Sequence, residues 1–357
     1  HTLNEPILII QPSKEILSQN LEKLLHFVDR SEIGIYSASM DEKIINKFTF
    51  ATIGSIYKKP EYFSHFGLII IDECNLFSPK NLSGMFMKFI NKINNIRNTP
   101  VKIIGLTATP YRLTTTSWKI GRNRYQTSTS IKLINRIKGG FWKRILFNLG
   151  IGELIDQKYL CPIEYIDRSI IQQENIPLNK SQSDFDLEAY EKIISVKQKE
   201  IINTIEYAKM ISKGILIFCS SVKQAETLQK IIFNSAIITA KTHKKEREEI
   251  INKFRNGEIK VVFNVGVLTI GFDYPELDCI ILLRPTRSIG LLAQMIGRGL
   301  RIAEGKKNCK VIDMTSTIKN LGRVETIKLE KIDDKWELLS EKGSWHGKTL
   351  YTFVIDT

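Results

Sequence analysis

The sequence predicts an α/β protein with two domains, each built on a mostly parallel sheet. Short apolar runs bounded by turn residues alternate with stretches whose apolar residues recur every three or four positions, the pattern of parallel α/β domains. The alternation occurs in two series separated by a polar stretch. The length of 357 residues also suits two domains, since a domain typically has about 100–200 residues.

The first series starts close to the first residue. Buried strands are predicted at Ile7–Gln11, Gly67–Ile71 and Val101–Leu106. A helix is predicted at Ser13–Leu25, and Ser78–Pro79 is expected to open another, because proline is tolerated in the first turn of a helix.

The second series follows a polar stretch, Gln172–Asp186, which is predicted to be an exposed loop ahead of a helix at Leu187–Met210. Further helices are predicted at Val222–Phe233 and Lys244–Arg255. The predicted strands are Ile215–Cys219, Ala236–Thr239, Val261–Asn264, Cys279–Leu283 and Lys310–Met314. We therefore place domain 1 at residues 1–160, domain 2 at 161–320 and a C-terminal extension of unassigned structure at 321–357.

Composition excludes several classes of protein. No run of ~18 apolar residues is present, so a membrane-spanning helix is not expected. The first residues have no basic leader with a cleavage site, which argues against a secretory signal. The five cysteines are scattered, without a CxxC pair. This favours neither a disulfide framework nor a zinc site, and a reducing, cytoplasmic location fits best.

The net charge of +14 is concentrated in one part of the chain. No acidic residue occurs between Glu73 and Glu153, whereas Lys and Arg occur fourteen times there. Localised positive charge is what a polyphosphate partner requires, because each neutralised phosphate releases condensed counterions. The alternative is a basic surface that serves solubility alone.

Residues 112–150 combine basic and aromatic side chains, as in surfaces that bind a nucleic-acid strand. Arg122, Arg124, Lys143 and Arg144 are the predicted phosphate contacts. The aromatic residues are expected to be core residues; they are Trp118, Phe141, Trp142 and Phe147.

Two carboxylates, Asp72 and Glu73, follow an apolar strand. At the carboxyl end of a parallel strand an aspartate can hold Mg²⁺ and a neighbouring glutamate can orient an attacking water. Taken alone, the pair is equally compatible with a solvated turn. Arg298 and Arg301 are three residues apart, which predicts one helical face from which both can neutralise charge in phosphoryl transfer.

Taken in order, these segments resemble the motifs of superfamily 2 helicases and translocases. DECN (72–75) is similar to motif II, the DEAD/DEAH box, and TATP (107–110) to motif III. Residues 264–273 are similar to motif V. QMIGRGLR (294–301) is similar to motif VI, in a form that resembles the RadD-like subgroup of bacteria and phages. Residues 7–19, 51–55 and 215–221 are similar to motifs Ia, Ib and IV.

The resemblance implies two RecA-like domains with ATP in the cleft between them and nucleic acid across their top. Asp72 would hold Mg²⁺, Glu73 the hydrolytic water, and Asp273 would lie near the nucleotide. Thr107 and Thr109 would couple ATP state to domain movement. The γ-phosphate would be sensed by Gln294, Arg298 and Arg301. The nucleic-acid backbone would be contacted by Ser13, Lys14, Thr52, Ser55, Ser220, Ser221, Asn264, Gly266 and Thr269.

The sequence departs from the family at the P-loop, which precedes motif Ia in these proteins. Motif Ia starts here at residue 7, so we expect the first domain to be truncated at its N-terminus. The GKT run Gly347–Thr349 lacks the GxxxxGK[ST] spacing and has bulky neighbours, so we interpret it as a chance match. The 357 residues alone are therefore expected to hydrolyse ATP barely.

The function expected from the sequence is an ATP- and Mg²⁺-dependent nucleic-acid helicase or translocase, with DNA favoured over RNA. One alternative is an ATP-independent nucleic-acid-binding protein with the same fold. Another is the motor segment of a restriction system. The sequence does not establish whether the substrate is DNA or RNA, in which direction the protein moves, or whether it separates strands.

Overall fold

The computed structural model describes residues 5–76, 84–122, 124–137, 139–180, 183–267, 274–345 and 349–356, the last of these for the backbone alone. The chain forms two compact units. Unit 1 comprises His1–Tyr111 and Leu133–Arg144, and unit 2 comprises Arg112–Lys132 and Ile145–Thr357. This division differs from the predicted boundaries at residues 160 and 320, because residues 112–132, residues 145–160 and the predicted extension all group with unit 2.

Unit 1 is a sheet with helices on its faces. Its strands are β1 (Ile7–Gln11), β2 (Ile33–Ser37), β3 (Glu42–Lys43), β4 (Phe48–Thr52), β5 (Leu68–Ile71) and β6 (Lys102–Gly105). Its helices are α1 (Lys14–Leu24), α2 (Ile53–Ile56) and α3 (Met85–Arg97). The strand order is β3-β2-β4-β1-β5-β6, and all pairs are parallel except β2 with β3.

The core of unit 1 follows the two-residue alternation of its strands. Leu8 and Ile10 of β1 pack on one face with Phe63 and Phe89, where α3 covers the sheet. Phe50 of β4 packs on the opposite face in a smaller cluster. Both faces of the central strands are covered, which explains why those strands are almost uninterrupted apolar runs.

The chain between the two series forms a long hairpin, β7 (Tyr111–Gly121) and β8 (Arg124–Leu133). The C-terminal strand β18 (Thr349–Asp356) pairs with β8, so that a three-stranded antiparallel sheet has the order β18-β8-β7. These strands were not predicted, because the alternation of threonine and serine with basic residues lacks the apolar period used to identify strands.

Unit 2 contains a second sheet, which is entirely parallel. Its strands are β9 (Ile163–Asp167), β10 (Ile215–Cys219), β11 (Ser235–Thr239), β12 (Val261–Val265), β13 (Cys279–Leu283) and β14 (Cys309–Asp313). Its helices are α4 (Ile151–Asp156), α5 (Leu187–Ile194), α6 (Gln198–Ile211), α7 (Val222–Gln229), α8 (Lys244–Arg255), α9 (Ile289–Gly297) and α10 (Thr317–Leu321). The order is β11-β12-β10-β13-β14-β9.

The predicted extension at 321–357 carries regular structure. A small antiparallel sheet consists of β15 (Lys328–Ile332), β16 (Lys335–Ser340) and β17 (Gly343–Ser344), and β18 spans Thr349–Asp356. Among the described residues, no helix is both long and apolar enough to cross a membrane. All five cysteines are free and buried.

The predicted α/β class with parallel sheets is confirmed, and most strand predictions agree within a residue. Two helical predictions and one loop prediction need correction. The helix predicted at Val222–Phe233 ends at Gln229. The helix expected at Leu187–Met210 is two helices, α5 and α6, with a short 3₁₀ turn between them. The loop ahead of it is not fully exposed, because Ile176 and Phe185 pack in the core of unit 2. Ser78–Pro79 lies outside the described residues.

Candidate functional site

The predicted site residues of unit 1 lie at one edge of its sheet. Strands β1, β4, β5 and β6 run parallel, so their carboxyl ends meet at this edge, which is where open α/β sheets bind ligands. The residues at or after these ends are Ser13, Lys14, Thr52, Ser55, Asp72, Glu73, Thr107 and Thr109.

Asp72 is half-buried and makes three hydrogen bonds, one through its backbone and two through its carboxylate. Its backbone N–H donates to the carbonyl of Ile10 at 3.0 Å. Its Oδ2 accepts from Asn20 Nδ2 at 3.1 Å, and its Oδ1 accepts from the N–H of Glu73 at 2.9 Å. Burial raises the pKa of Asp72 above its ordinary value, and the hydrogen bonds from Glu73 and Asn20 oppose this shift.

The residues fit a magnesium ion at Asp72. A carboxylate has about four lone-pair directions, and the side-chain hydrogen bonds described above use two of them. The described part of the chain contains no group of three or more His, Cys, Asp or Glu side chains that could cage a metal. Mg²⁺ does not need one, since it is typically bound by one or two carboxylates together with waters and substrate phosphates.

Glu73 occupies an unusual backbone conformation, with φ of 48°. For a residue other than glycine the left-handed region costs roughly 1–3 kcal/mol, and such strain concentrates at functional sites. The turn is fixed on both sides, because Cys74 N–H donates to Leu106 O and Leu106 N–H donates to Ile71 O, each at 2.9 Å. The ends of β5 and β6 are thereby joined at the position of Glu73.

Asn75 connects the Asp72–Glu73 turn to the turn after β6. Its Nδ2 donates to Thr109 Oγ1 at 3.0 Å, and the N–H of Thr109 donates to Thr107 Oγ1 at 3.0 Å. Trp142 adds a further link by donating from Nε1 to Cys74 O at 3.3 Å. The predicted coupling residues Thr107 and Thr109 are therefore in one hydrogen-bonded network with the carboxylate turn.

A cluster of hydroxyl groups lies at the ends of β2 and β4. Thr52 Oγ1 lies 3.2 Å from Ser37 Oγ and 2.9 Å from Ser55 Oγ, and Ser55 Oγ accepts from the N–H of Ala38 at 2.9 Å. Ser13 caps α1 by accepting from Ile16 N–H at 3.4 Å. Ser13, Lys14, Thr52 and Ser55 are all half-buried. They keep surface available for a ligand.

In unit 2, Ser220 and Ser221 follow β10 and differ in accessibility. Ser220 is buried, and its N–H and Oγ donate to Gln224 Oε1 at 2.9 and 3.1 Å. Ser221 is half-buried and caps α7 by accepting from Gln224 N–H at 3.0 Å. Of the two serines, Ser221 offers the accessible hydroxyl.

Asn264 and Gly266 shape the turn after β12. Asn264 is completely buried, and its Oδ1 accepts from Val267 N–H at 3.3 Å. Gly266 has φ of 72°, where a side chain would be strained although it would have open space. Thr269 and Asp273, the other predicted residues of this run, lie outside the described residues, as do Gly347 and Lys348.

The expectation that Arg298 and Arg301 share a helical face is wrong. Helix α9 ends at Gly297, Arg298 is its C-cap, and Arg301 lies beyond the helix in an isolated antiparallel bridge with Leu160. Gln294 is on α9 itself, and all three side chains are half-buried. The reason is the pair of glycines on either side of Arg298, since glycine is a poor helix former.

Lys306 organises the segment that carries these arginines. Its Nζ donates to Gly299 O at 2.6 Å, Arg301 O at 2.7 Å and Pro275 O at 2.8 Å. Burial lowers the pKa of Lys306, whereas three carbonyl acceptors favour its charged form. Gly299, in the same segment, has no room for a side chain, because a Cβ there would overlap Cys309 Sγ.

The four predicted phosphate contacts are exposed but belong to different units. Arg122 and Arg124 lie at the tip of the β7–β8 hairpin in unit 2, whereas Lys143 and Arg144 are in unit 1. Phe141 and Trp142 pack against the core of unit 1, as expected. The expectation is wrong for Trp118 and Phe147, whose side chains are 43% and 76% exposed.

Asn20 and Lys306 are structural parts of the site that the sequence did not reveal. Asn20 lies two turns into α1, and nothing in its surroundings distinguishes it from other polar positions of an amphipathic helix. Lys306 lies between glycine and a second lysine, so its burial has no signal in the sequence.

Comparisons with known protein families match both units. Residues 1–112 match the family described as type III restriction enzyme, res subunit, and residues 196–303 match the helicase conserved C-terminal domain. The putative ATP-dependent helicase IRC3 of Saccharomyces cerevisiae is 35% identical over 178 residues, which are 48% of this chain and 26% of the yeast protein.

Solved structures share the fold. A fragment of a putative HsdR subunit of a type I restriction enzyme from Vibrio vulnificus aligns with a TM-score of 0.58 at 18% identity, over 89% of this chain and 55% of that one. The type ISP restriction-modification enzyme LlaBIII, solved bound to DNA, aligns with a TM-score of 0.58 at 17% identity, over 87% of this chain and 24% of that one. The chain thus spans about half or less of the length of these three proteins.

Proposed function

This chain belongs to superfamily 2 of the helicases and translocases, and from that premise we propose that the protein hydrolyses ATP, with Mg²⁺, to drive movement on nucleic acid. The single observation that carries the proposal is the strained turn at Asp72–Glu73, held at the carboxyl edge of unit 1 by Asn20 and joined to Thr107 and Thr109 through Asn75.

In unit 1, Asp72 would hold the metal and Glu73 would orient the attacking water and accept its proton. A bound Mg²⁺ supplies neutralisation of phosphate charge. Asn20 keeps the Asp72 carboxylate oriented and, by donating to it, favours its charged form. Through Asn75, two residues after Glu73, Thr107 and Thr109 would sense changes at the carboxylates.

In unit 2, Arg298 and Arg301 would neutralise the charge that develops on the γ-phosphate, with Gln294 beside it. Arginine suits this task because its guanidinium is always charged and binds phosphate oxygens in pairs. Lys306 fixes the backbone on both sides of Leu300, so the arginines are held by a rigid segment. Asp273 stays part of the proposal as a residue near the nucleotide.

We propose that the nucleic acid along which the protein moves is DNA. The restriction enzymes that share this fold include one solved bound to DNA, and the matched res-subunit family is likewise a restriction-enzyme component. Half-buried hydroxyls at the carboxyl edges, such as Thr52 and Ser221, suit contacts to the sugar–phosphate backbone, which carry no sequence information. A motor that moves along any sequence requires such contacts.

The test is an ATPase assay on the intact protein, with and without Mg²⁺, in the presence of single-stranded DNA, duplex DNA or RNA. We expect turnover that depends on Mg²⁺ and is stimulated more by DNA than by RNA. Nucleic-acid binding without any ATP turnover would instead identify an ATP-independent nucleic-acid-binding protein.

A second candidate, the motor of a restriction system, is favoured by the match of residues 1–112 to the res-subunit family. It predicts a nuclease or methyltransferase partner encoded beside the protein. ATP-dependent DNA cleavage when that partner is added would distinguish it from a motor that acts without cleaving.

A further inference from the structure

The tip of the β7–β8 hairpin carries exposed aromatic and apolar side chains. Trp118 is 43% exposed, Ile120 46% and Tyr125 36%. Burying apolar surface is favourable, so such exposed side chains at the end of one hairpin gain from contact with a partner. Since β7 has 11 residues, the hairpin reaches roughly 35 Å at about 3.3 Å per residue.

The two faces of the hairpin differ. Ser117 Oγ and Thr127 Oγ1 lie 2.9 Å apart, so these two side chains share one face, and Thr127 is only 2% exposed. Successive side chains of a strand point to opposite faces. Trp118 and Ile120 therefore lie together on the face opposite the one that buries Thr127, whereas Tyr125 lies on the Thr127 face.

The charge at the tip is positive. Lys119, Arg122 and Arg124 are all exposed, and the hairpin lies within the stretch that has no acidic residue. The register of β18 places one acid, Asp356, opposite Arg124. Even with Asp356 included, the tip keeps an excess of positive charge beside flat aromatic side chains, which is the combination that binds unpaired nucleotides.

We propose that the hairpin tip binds a single-stranded segment of nucleic acid, with Trp118 stacking on an unpaired base and Arg122 and Arg124 contacting the flanking phosphates. This deepens the proposed function, on which it rests. A base can stack on Trp118 only when it is not already stacked within a duplex, so the tip favours single strands over duplex.

The test compares binding of the intact protein to a labelled oligothymidine and to a duplex of equal length, at one salt concentration. Trp118→Ala should weaken binding to the single strand about ten-fold and leave duplex binding within two-fold. Trp118→Phe and Trp118→Tyr keep a stacking ring and should retain most of the affinity, which shows that the hairpin still folds. Phe233→Ala, at an 82% exposed aromatic of unit 2, is the matched control and should change neither affinity.

Equal single-strand binding by the native protein and Trp118→Ala would overturn the inference while the proposed function stands. Equal losses on single strand and duplex would also overturn it, because they would indicate a contact without stacking. If the native protein bound neither nucleic acid, the proposed function would fail together with the inference.

Discussion

Asn20 of α1 donates from Nδ2 to Oδ2 of Asp72 at 3.1 Å, across a separation of 52 residues in sequence. The bond joins the helix after β1 to the end of β5. Burial raises the pKa of Asp72, and the Asn20 donor is one of the two hydrogen bonds that oppose this rise. Asn20 therefore helps to keep Asp72 in the carboxylate form that a metal requires.

Asn20→Ala should raise the pKa of Asp72 further. Because the carboxylate is the form that holds Mg²⁺, the acid side of the pH–rate profile should shift to higher pH and the Mg²⁺ concentration for half-maximal ATPase activity should rise about 10–100-fold. Titration of Mg²⁺ at several pH values measures both effects. Glu22→Ala, an exposed residue of the same helix, is the control, and an equal change there would remove the role assigned to Asn20.

Glu73→Gln should abolish ATP turnover in the intact protein and leave nucleotide binding largely intact. The glutamine keeps the shape of the side chain but cannot accept a proton from the attacking water. Turnover and nucleotide affinity are measured separately, for example by phosphate release and by fluorescent-nucleotide titration. A loss of binding as large as the loss of turnover would contradict the role in water activation.

Gly299→Ala should destabilise unit 2 by about 1–3 kcal/mol, because the new Cβ would overlap Cys309 Sγ and approach Ile280. In a Cys309→Ala background, Gly299→Ala should lower the stability by a smaller amount, because the sulfur that the new Cβ would overlap is absent. Gly297→Ala is the matched control: its Cβ would meet nothing within 4 Å, and alanine at the end of α9 should be neutral or stabilising by up to about 1 kcal/mol. Denaturant unfolding measures all three.

Lys306→Met should lower kcat of the intact protein more than it raises KM. The substitution keeps the length of the side chain but removes all three donors to the carbonyls of Pro275, Gly299 and Arg301, which leaves the arginine segment loosely held. We expect a parallel loss of about 1.5–3 kcal/mol in stability, the range for one charged hydrogen bond. Lys307→Met, at an exposed neighbour, should change neither, and activity unaffected by Lys306→Met would refute the positioning role.

Two sets of arginines are expected to separate binding from hydrolysis. Charge reversal at Arg122 and Arg124 should weaken nucleic-acid binding and reduce its dependence on salt. Each phosphate contact contributes roughly −0.9 to the slope of log K against log salt concentration for duplex DNA, and about −0.7 for single strands. Arg298→Ala should remove hydrolysis and leave that slope nearly unchanged. An Arg298 variant that kept its ATPase activity but lost salt-dependent binding would show that residues 294–301 do not act on the nucleotide. Charge reversal at Lys143 and Arg144, in unit 1, tests that pair separately.

The parallel sheets were predictable because their central strands are buried on both faces and are therefore continuous apolar runs. Ile215–Cys219 and Cys279–Leu283 coincide with the predicted bounds. The hairpin was not predictable in this way. Thr127 and Thr129 of β8 are buried on the same face as Ile131 and Leu133, so half of these covered positions are threonine, and the apolar alternation is too short to identify a strand.

The sequence predicts those site residues that stand in recognisable runs at strand ends. It does not predict the residues whose role depends on contacts between distant parts of the chain. Asp72 and Glu73 follow a strand, so their common edge with Thr107 could be foreseen from the rule that carboxyl ends of parallel strands meet. The close packing of Gly299 against Cys309 and the role of Lys306 depend on groups that come together only in the folded chain.

The buried cysteines allow local unfolding of each unit to be followed by thiol labelling. Burial raises the pKa of all five thiols, that of Cys74 to about 12. The thiolate is the form that attacks an alkylating reagent, so a buried thiol with a raised pKa is labelled only after local unfolding. Cys74 belongs to unit 1 and the other four cysteines to unit 2. The labelling rate of Cys74, compared with the labelling rates of the other four thiols, therefore shows how readily each unit opens in the same sample without any introduced probe.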